Sequence, residues 1–363
     1  MGLKSILLIL ILLTACAKTG NVVLQEPMTE SVTDQKLYVE PSTVKEQQKE
    51  FVTKLRAAGM DKTKWRPLYE EYIDVIGANG VLDGIETIYE RCHGIAHDVG
   101  KIIFAKTKNI GNSLRICSNR CYTGCMHGVL MEAFAQAQGD EDHIEIEKLK
   151  PMIKDICFND TEMKTSYGPG ECAHGVGHAV MFLSGYIISE ALRGCAEFED
   201  KKMEYYCADG AYMEYVVERD EEDAKTRSMF YPCDTFDYPA ACMRTKFGLA
   251  GKRLLDSGKT TNDLIKECEK LEGKLRLGCF HGLGTAYSKI LALGKMTIKE
   301  LCSHGTENEQ IACIEGAAER IGKYFNDKTE MVCNELDDKK DLCFSAAERK
   351  PYSLDKDLTI YLT

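Results

Sequence analysis

The segment Cys172-Ala173-His174-Gly175-Val176-Gly177-His178 contains a local pattern that returns along this 363-residue chain: a cysteine, a polar side chain and a glycine. The related segments are Cys92-His93-Gly94-Ile95-Ala96-His97, Cys125-Met126-His127-Gly128, Cys207-Ala208-Asp209-Gly210, Cys279-Phe280-His281-Gly282 and Cys313-Ile314-Glu315-Gly316. A pattern that recurs at a near-constant interval is typical of repeat proteins, in which stacking turns a sequence column into a row of neighbouring side chains. The sequence therefore predicts a row of His, Asp and Glu side chains.

The spacing of the pattern indicates helical repeats. One cysteine marks each unit, and these marker cysteines are Cys125, Cys172, Cys207, Cys242, Cys279, Cys313 and Cys343. Most neighbouring markers are 34 to 37 residues apart. This period suits two short helices and two turns. Apolar residues recur at helical spacing, as at Phe280, Leu283 and Ile290, and strand-like alternation is scarce. We predict an all-α array of about seven to eight disulfide-stapled helical hairpins of ~35 residues, either an open α-solenoid or an α/α ring.

The cysteine spacing also predicts disulfide bonds. Most marker cysteines have a partner 9 to 15 residues earlier, which predicts the pairs Cys157–Cys172, Cys195–Cys207, Cys233–Cys242, Cys268–Cys279, Cys302–Cys313 and Cys333–Cys343. Pairing Cys117 with Cys125 continues this pattern and leaves Cys92 for Cys121. Closing a loop of this size contributes roughly 3 kcal/mol to stability in the chain-entropy model.

The histidines suggest two alternative roles. His93 and His97 are spaced i and i+4, as are His174 and His178, so each pair shares one helical face. If these helices flank the one that carries His127, five imidazoles meet, a donor set that suits a divalent transition metal such as zinc or copper. The alternative is structural, since polar residues at this place can cap helices. Secondary metal-ligand candidates in the same column are His281, Asp209 and Glu315.

The glycine of the pattern predicts close helix packing. A glycine in a helix costs about 1 kcal/mol relative to alanine. Its return in successive units therefore indicates that a neighbouring helix or a ligand comes too near for a Cβ.

The N-terminal residues predict export. Lys4 precedes the apolar run 6–13, and Leu13-Thr14-Ala15-Cys16 resembles the lipobox of bacterial lipoproteins, a family that implies cleavage before Cys16 and lipidation of its sulfur. We expect a signal peptide at 1–15, the lipidated Cys16 with a flexible polar tether at 16–50, a helical repeat domain at 51–350 and a C-terminal tail at 351–363.

Charge and cysteine content agree with an extracytoplasmic location. The chain carries a net charge of −11 with no basic stripe, which argues against binding to nucleic acid. An even number of cysteines after Cys16 favours disulfides and an oxidising compartment. We therefore expect the protein to attach to the membrane through its lipid anchor. We also expect a protein or small-ligand partner to bind on the repeat surface.

Three further resemblances concern the body of the chain. The disulfide-tied hairpins are similar in style to the Sel1-like helical repeats. Ala96-His97-Asp98-Val99-Gly100-Lys101 resembles the His-Asp doublet of the HD phosphohydrolases, although that family's other metal ligands cannot be placed here. The repeated His-Gly turns are similar to those of the lanthionine cyclases, which are α/α toroids.

Catalytic signatures such as Gly-x-Ser-x-Gly, a phosphate loop and His-Glu-x-x-His are absent. The sequence thus favours a binding module on a membrane-anchored lipoprotein over an enzyme. The alternative is a metal-binding protein or metalloenzyme that uses the clustered histidines.

Overall fold

Helices account for all the regular secondary structure in the residues that the structure describes, so the predicted all-α class is confirmed. This structure is a computed structural model, and it describes residues 41–89, 92–139, 144–158, 168–349 and 352–362. The predicted signal peptide, Cys16 and most of the predicted tether lie outside these ranges. None of the described helices combines the length and the apolar character needed to cross a membrane.

Seventeen α-helices occur in the described ranges. They are α1 (Pro41–Ala58), α2 (Lys62–Ile88), α3 (His93–Thr107), α4 (Ile110–Ile116), α5 (Gly124–Gln138), α6 (Ile146–Ile156), α7 (Pro169–Leu183), α8 (Ile188–Cys195), α9 (Lys201–Asp223), α10 (Pro239–Asp256), α11 (Thr261–Glu269), α12 (Gly273–Ala292), α13 (Ile298–Cys302), α14 (Glu307–Tyr324), α15 (Thr329–Cys333), α16 (Lys340–Glu348) and α17 (Thr359–Leu362). Short 3₁₀ turns lie at Arg120–Thr123 and Asn326–Lys328.

Long and short helices alternate over much of the chain, and each short helix packs against long neighbours. The short helices α4, α8, α11, α13 and α15 each contact the helix before and the helix after them in the chain. Local sequence determines where several of them begin: Thr260 and Thr297 each form a capping box that satisfies free amides of the first turn. By contrast, α7 is buried from Gly170 to Met181, as expected for a helix enclosed by other helices.

Eight disulfide bonds connect these elements. They join Cys92–Cys121, Cys117–Cys125, Cys157–Cys172, Cys195–Cys207, Cys233–Cys242, Cys268–Cys279, Cys302–Cys313 and Cys333–Cys343. These are the pairs that the spacing of the cysteines predicted. Most link the end of a short helix to the beginning of the next long helix, so each bond ties two consecutive helices together. Eight such bonds are typical of a protein that folds outside the cytosol.

Glycines allow the long helices to approach each other closely in pairs. A Cβ on Gly128 of α5 would lie 1.9 Å from the carbonyl oxygen of His97 on α3. In return, a Cβ on Gly100 of α3 would lie 1.9 Å from the carbonyl oxygen of Cys125 on α5. The pair α7 and α9 and the pair α12 and α14 have the same reciprocal arrangement. The predicted steric role of the glycine is therefore visible at Gly128, whereas Gly94 has open space around it.

The long helices contact one another in chain order, from α3 through α5, α7, α9, α10, α12 and α14 to α16. Residues from the two ends of this series also meet. The rings of Tyr122, just before α5, and Tyr324, at the end of α14, have centroids 4.4 Å apart.

The two ends of the described chain differ in detail from what the composition suggested. Helix α1 begins at Pro41, so the described part of the predicted tether is helical. At the other end, residues 352–362 pack against the helices, with Lys356 only 4% exposed. Lys202 donates to the carbonyl of Leu354, and Lys274 donates to that of Ile360, which holds this segment across α9 and α12.

Candidate metal centre

Five histidines from three consecutive long helices converge on one point. Helix α3 contributes His93 and His97, α5 contributes His127, and α7 contributes His174 and His178. In four of them, one ring nitrogen lies within 4.8 Å of a nitrogen of each of the others, and these are His93, His97, His127 and His178. The close packing at Gly128 brings α3 and α5 together, and the i, i+4 spacing then aims both members of a pair at the same place.

The nitrogen separations match those of metal ligands. His127 Nδ1 lies 3.2 Å from His93 Nε2, and His178 Nε2 lies 3.2 Å from His174 Nε2. Two nitrogens that each lie about 2.1 Å from a tetrahedral metal are about 3.4 Å apart. The cluster thus holds its nitrogens at the spacing at which one ion can touch several of them.

Carboxylates fix the orientation of the two imidazoles on α7. Glu214 Oε2 lies 2.8 Å from His178 Nδ1, and Asp209 Oδ2 lies 3.0 Å from His174 Nδ1. A carboxylate accepts hydrogen bonds, so the contact with Glu214 favours the proton of His178 on Nδ1, whereas Asp209 lies close to His174 Nδ1 without the geometry of a hydrogen bond. The Nε2 atom of His174 lies 3.2 Å from that of His178 and 3.4 Å from the hydroxyl of Tyr352. A proton shared by the two rings, or a metal ion bound by both, would satisfy these facing nitrogens.

Neutral groups contact His93 and His127, whereas Nδ1 of His97 lies 3.9 Å from the Glu214 carboxylate. His93 Nδ1 lies 2.9 Å from the carbonyl oxygen of Tyr122, which leaves its Nε2 lone pair directed into the cluster. His127 Nε2 lies 3.4 Å from the hydroxyl of Thr123, which itself donates to Glu171 at 2.7 Å. The Nε2 atom of His97 is buried and has no hydrogen-bond partner among the described residues. Metal-binding histidines commonly have their second nitrogen fixed in this way.

Burial lowers the pKa of four of these histidines. His97, His127, His174 and His178 are all at most 5% exposed, whereas His93 is half-buried. Burial, and then the neighbouring imidazoles, lower the pKa of His93, His97 and His127 well below the usual value. Burial lowers the pKa of His174 to about 4, although Asp209 opposes the shift. Neutral imidazole is the form that binds a metal ion.

The pKa values of two buried acidic groups near the cluster shift in opposite directions. Burial opposes ionisation of Asp209, but Arg244 and His174 together hold the pKa of this carboxyl below its usual range. Burial raises the pKa of Glu171, against the influence of Lys323 and Thr123. Asp209 is therefore an ionised partner for His174, while Glu171 is protonated more easily than an exposed glutamate.

The three secondary candidates lie outside the five-histidine cluster. Asp209 reaches the cluster only through the ring of His174. His281 lies 3.8 Å from Glu319, and the Glu315 carboxylate accepts a hydrogen bond from Tyr361 at 2.8 Å. These side chains continue the buried polar column beneath the C-terminal segment. The column is thus continuous, but its second half is covered by this chain's own residues.

Sequence reasoning missed several groups that complete the cluster. Glu214 stands seven residues after Cys207, and its carboxylate lies 2.8 Å from His178 Nδ1. Its position one residue later in the pattern than that of His178, which is six residues after Cys172, is a sequence signal that could have found it. The ring of Tyr352 stacks on that of His174 with centroids 4.2 Å apart, and the carbonyl of Tyr122 orients His93. These two contacts join residues far apart in the chain and have no local sequence signal.

Comparison with known proteins does not assign this chain to a family, since no family model, curated protein or solved structure matches it.

Proposed function

We propose that this protein is an extracytoplasmic metal-binding protein whose ion is held by His93, His97, His127 and His178, with His174 beside it. The observation that carries this proposal is the convergence of ring nitrogens from His93, His97, His127 and His178, all within 4.8 Å of one another. A first-row divalent ion in the cluster would bind several of these nitrogens at once and would satisfy the buried Nε2 of His97.

The donor set narrows the choice of ion. The candidate ligands are imidazole nitrogens, which suit zinc, copper, nickel and iron(II). The eight disulfide bonds occupy all sixteen cysteines after Cys16, so no thiolate is offered among the described residues. Zinc(II) and copper(II) are the first ions to test, because both bind neutral imidazole strongly.

The arrangement of the helices supports a repeat array that curves towards closure. Consecutive long helices pack in order, and three helix pairs share the same reciprocal glycine contacts. The contact between Tyr122 and Tyr324 joins an early unit to a late one. In such an array, histidines from three successive units meet on the concave side. Binding of a protein or small-molecule partner to the outer surface stays a prediction from the sequence.

The location rests on two separate arguments. Eight disulfide bonds favour an oxidising compartment. Attachment to a membrane through a lipid on Cys16 rests on Leu13-Thr14-Ala15-Cys16 and the apolar run before it. Mass spectrometry of Cys16 in the exported protein tests the anchor independently of the metal.

Metal analysis of protein purified without a histidine tag tests the main proposal. We expect about one equivalent of zinc or copper per chain. The double substitution His97→Ala and His178→Ala should abolish it, because it removes one ligand from each of two helices. His304→Ala is the matched control, since His304 lies apart from the cluster and its loss should leave the metal content unchanged. Wild-type protein that stays metal-free after dialysis against either ion would refute the proposal.

A further inference from the structure

One disulfide bond differs from the other seven in what it joins. The bond Cys92–Cys121, the α3–α5 disulfide, spans 29 residues, whereas the others span 8 to 15. Cys92 directly precedes His93, the first residue of α3, and Cys121 lies in the 3₁₀ turn that leads into α5. Both cysteines are almost fully buried. The bond thus connects the beginnings of the two helices that carry three of the candidate ligands.

The two residues that follow Cys121 hold two of these ligands from outside the cluster. The carbonyl of Tyr122 accepts a hydrogen bond from His93 Nδ1 at 2.9 Å. The hydroxyl of Thr123 lies 3.4 Å from His127 Nε2. The opposite ring nitrogens, His93 Nε2 and His127 Nδ1, then face each other at 3.2 Å inside the cluster. Two consecutive positions of one loop therefore set the direction of both rings.

The backbone of this loop has an unfavourable conformation. Cys121, Tyr122 and Thr123 have φ values of 49°, 58° and 64°, in the left-handed region that residues other than glycine rarely adopt. A β-branched residue such as threonine is especially rare there. Such a conformation persists only where surrounding contacts fix it, and it is typical of functional sites. Other parts of the molecule must therefore hold the loop in place.

The anchors of this loop differ in strength. Arg120 lies 3.0 Å from Glu86 of α2, but the two side chains are 44% and 43% exposed, and solvent screens an ion pair of this kind. The neighbouring bond Cys117–Cys125 closes the loop onto its own helix and does not tie it to α3. The α3–α5 disulfide is both covalent and buried, and it joins the loop to the beginning of α3. It is therefore the anchor that fixes the loop relative to that helix.

We infer that the α3–α5 disulfide is a positioning element of the metal centre: by holding Tyr122 and Thr123 in place, it directs the rings of His93 and His127 towards the ion. This inference rests on the proposed metal function. Groups that fix the second nitrogen of a histidine ligand usually change metal affinity by about 10- to 100-fold when they are lost. Without the bond, the loop can relax from its left-handed conformation and turn the Tyr122 carbonyl away from His93. The ring nitrogens are then no longer held at the spacing that one ion needs.

Competition with a chelator in the full-length protein tests the inference, with whichever of zinc(II) and copper(II) the wild-type protein binds more tightly. The double substitution Cys92→Ser and Cys121→Ser should weaken binding of that ion by about 10- to 100-fold. The matched control is Cys333→Ser with Cys343→Ser, which removes a disulfide bond between α15 and α16. Because this bond joins helices that carry none of the five histidines, its loss should leave the affinity within about twofold.

Two single substitutions at Thr123 test the same arrangement without removing a disulfide bond. Thr123→Val keeps the shape of the side chain but removes the hydroxyl that faces His127, and it should weaken metal binding by about tenfold. Thr123→Ser keeps the hydroxyl and should retain nearly the wild-type affinity. If the position had only a structural role, metal affinity would follow the urea midpoint of each variant and not the presence of the hydroxyl.

The possible outcomes separate this inference from the metal proposal. A folded Cys92→Ser and Cys121→Ser protein with wild-type affinity would overturn the positioning role and leave the metal centre standing. Equal affinities of Thr123→Val and Thr123→Ser would have the same meaning, and this pair decides the question if the double variant does not fold. An equally large loss in the control that lacks the bond between α15 and α16 would assign the effect to general destabilisation and would also overturn the inference. A wild-type protein that binds neither ion would refute the proposed function and this inference together.

Discussion

Replacing Gly128 by alanine should separate α3 from α5 and disturb the histidine cluster without altering any imidazole. The new Cβ would lie 1.9 Å from the carbonyl oxygen of His97 and 2.7 Å from its carbonyl carbon. A normal carbon–oxygen contact is about 3.3 Å, so the helices must move apart by roughly 1.4 Å. The neighbouring atoms belong to the backbone of a buried helix, so no flexible side chain can absorb the movement.

Two opposing effects determine the stability of this variant. Overpacking in a well-packed interior costs about 1–3 kcal/mol, and a backbone obstacle places the cost at the upper end. Alanine recovers about 1 kcal/mol through its better helix propensity. We expect a net loss of about 2 kcal/mol. Metal binding should suffer as well, because ligand distances tolerate only about 0.2 Å and His127 would move relative to His93.

Urea unfolding of the chelated protein, together with metal analysis of the loaded protein, provides the assay. Gly248→Ala is the matched control, because Gly248 lies inside α10 and an added Cβ would have no neighbour within 4 Å. This control should be unchanged or stabilised by up to about 1 kcal/mol and should keep its metal. A Gly128→Ala protein with wild-type stability and wild-type metal content would refute the argument that this glycine positions the cluster.

Three further predictions follow from the same structure. Glu214→Gln should weaken metal binding by about 10- to 100-fold in competition with a chelator, because it loosens the orientation of His178. The control Glu218→Gln, at an exposed position, should not weaken it. Equal losses of affinity in the two variants would contradict this role of Glu214. Replacing both Cys157 and Cys172 by serine should lower the free energy of unfolding by roughly 3 kcal/mol, since that bond closes a 15-residue separation, and an unchanged urea midpoint would count against it. Burial lowers the pKa of His281 in the folded state, with Lys356 and Arg244 adding to the shift, so only the unfolded chain takes up this proton just below pH 6.5. Stability of the chelated protein should therefore fall as the pH drops below about 6.5, and less steeply in His281→Gln; unfolding curves with the same pH slope for both proteins would exclude this source.

The glycine pattern both brings neighbouring helices close together and sets polar side chains beside each other. Reciprocal glycines bring α7 and α9 as close together as α3 and α5, and the first of these contacts places Asp209 beside His174. The position two residues after the marker cysteine holds His174 in α7, and in α9 it holds the carboxylate partner of that histidine, Asp209. Two helices that pack in the same way can thus contribute different chemistry through a single residue each.

The sequence by itself determined the local features of this protein. The helical class, seven of the eight disulfide pairs and the shared faces of His93 with His97 and of His174 with His178 follow from spacings within a turn or a hairpin. Most of the bonded cysteines are 8 to 15 residues apart, so a single helix and its turn bring them together. The physical reason is that these contacts lie within one helix or across one loop, so short sequence spacings determine them.

Only the tertiary structure decided which distant units meet. The contact of Tyr122 with Tyr324, the stacking of Tyr352 on His174 and the position of Arg320 over the Tyr122 ring join residues more than 100 positions apart. Such contacts depend on how the helices pack against one another, which no short stretch of sequence records. The candidate ligands can therefore be predicted from the sequence, whereas the aromatic contacts around them depend on the tertiary packing.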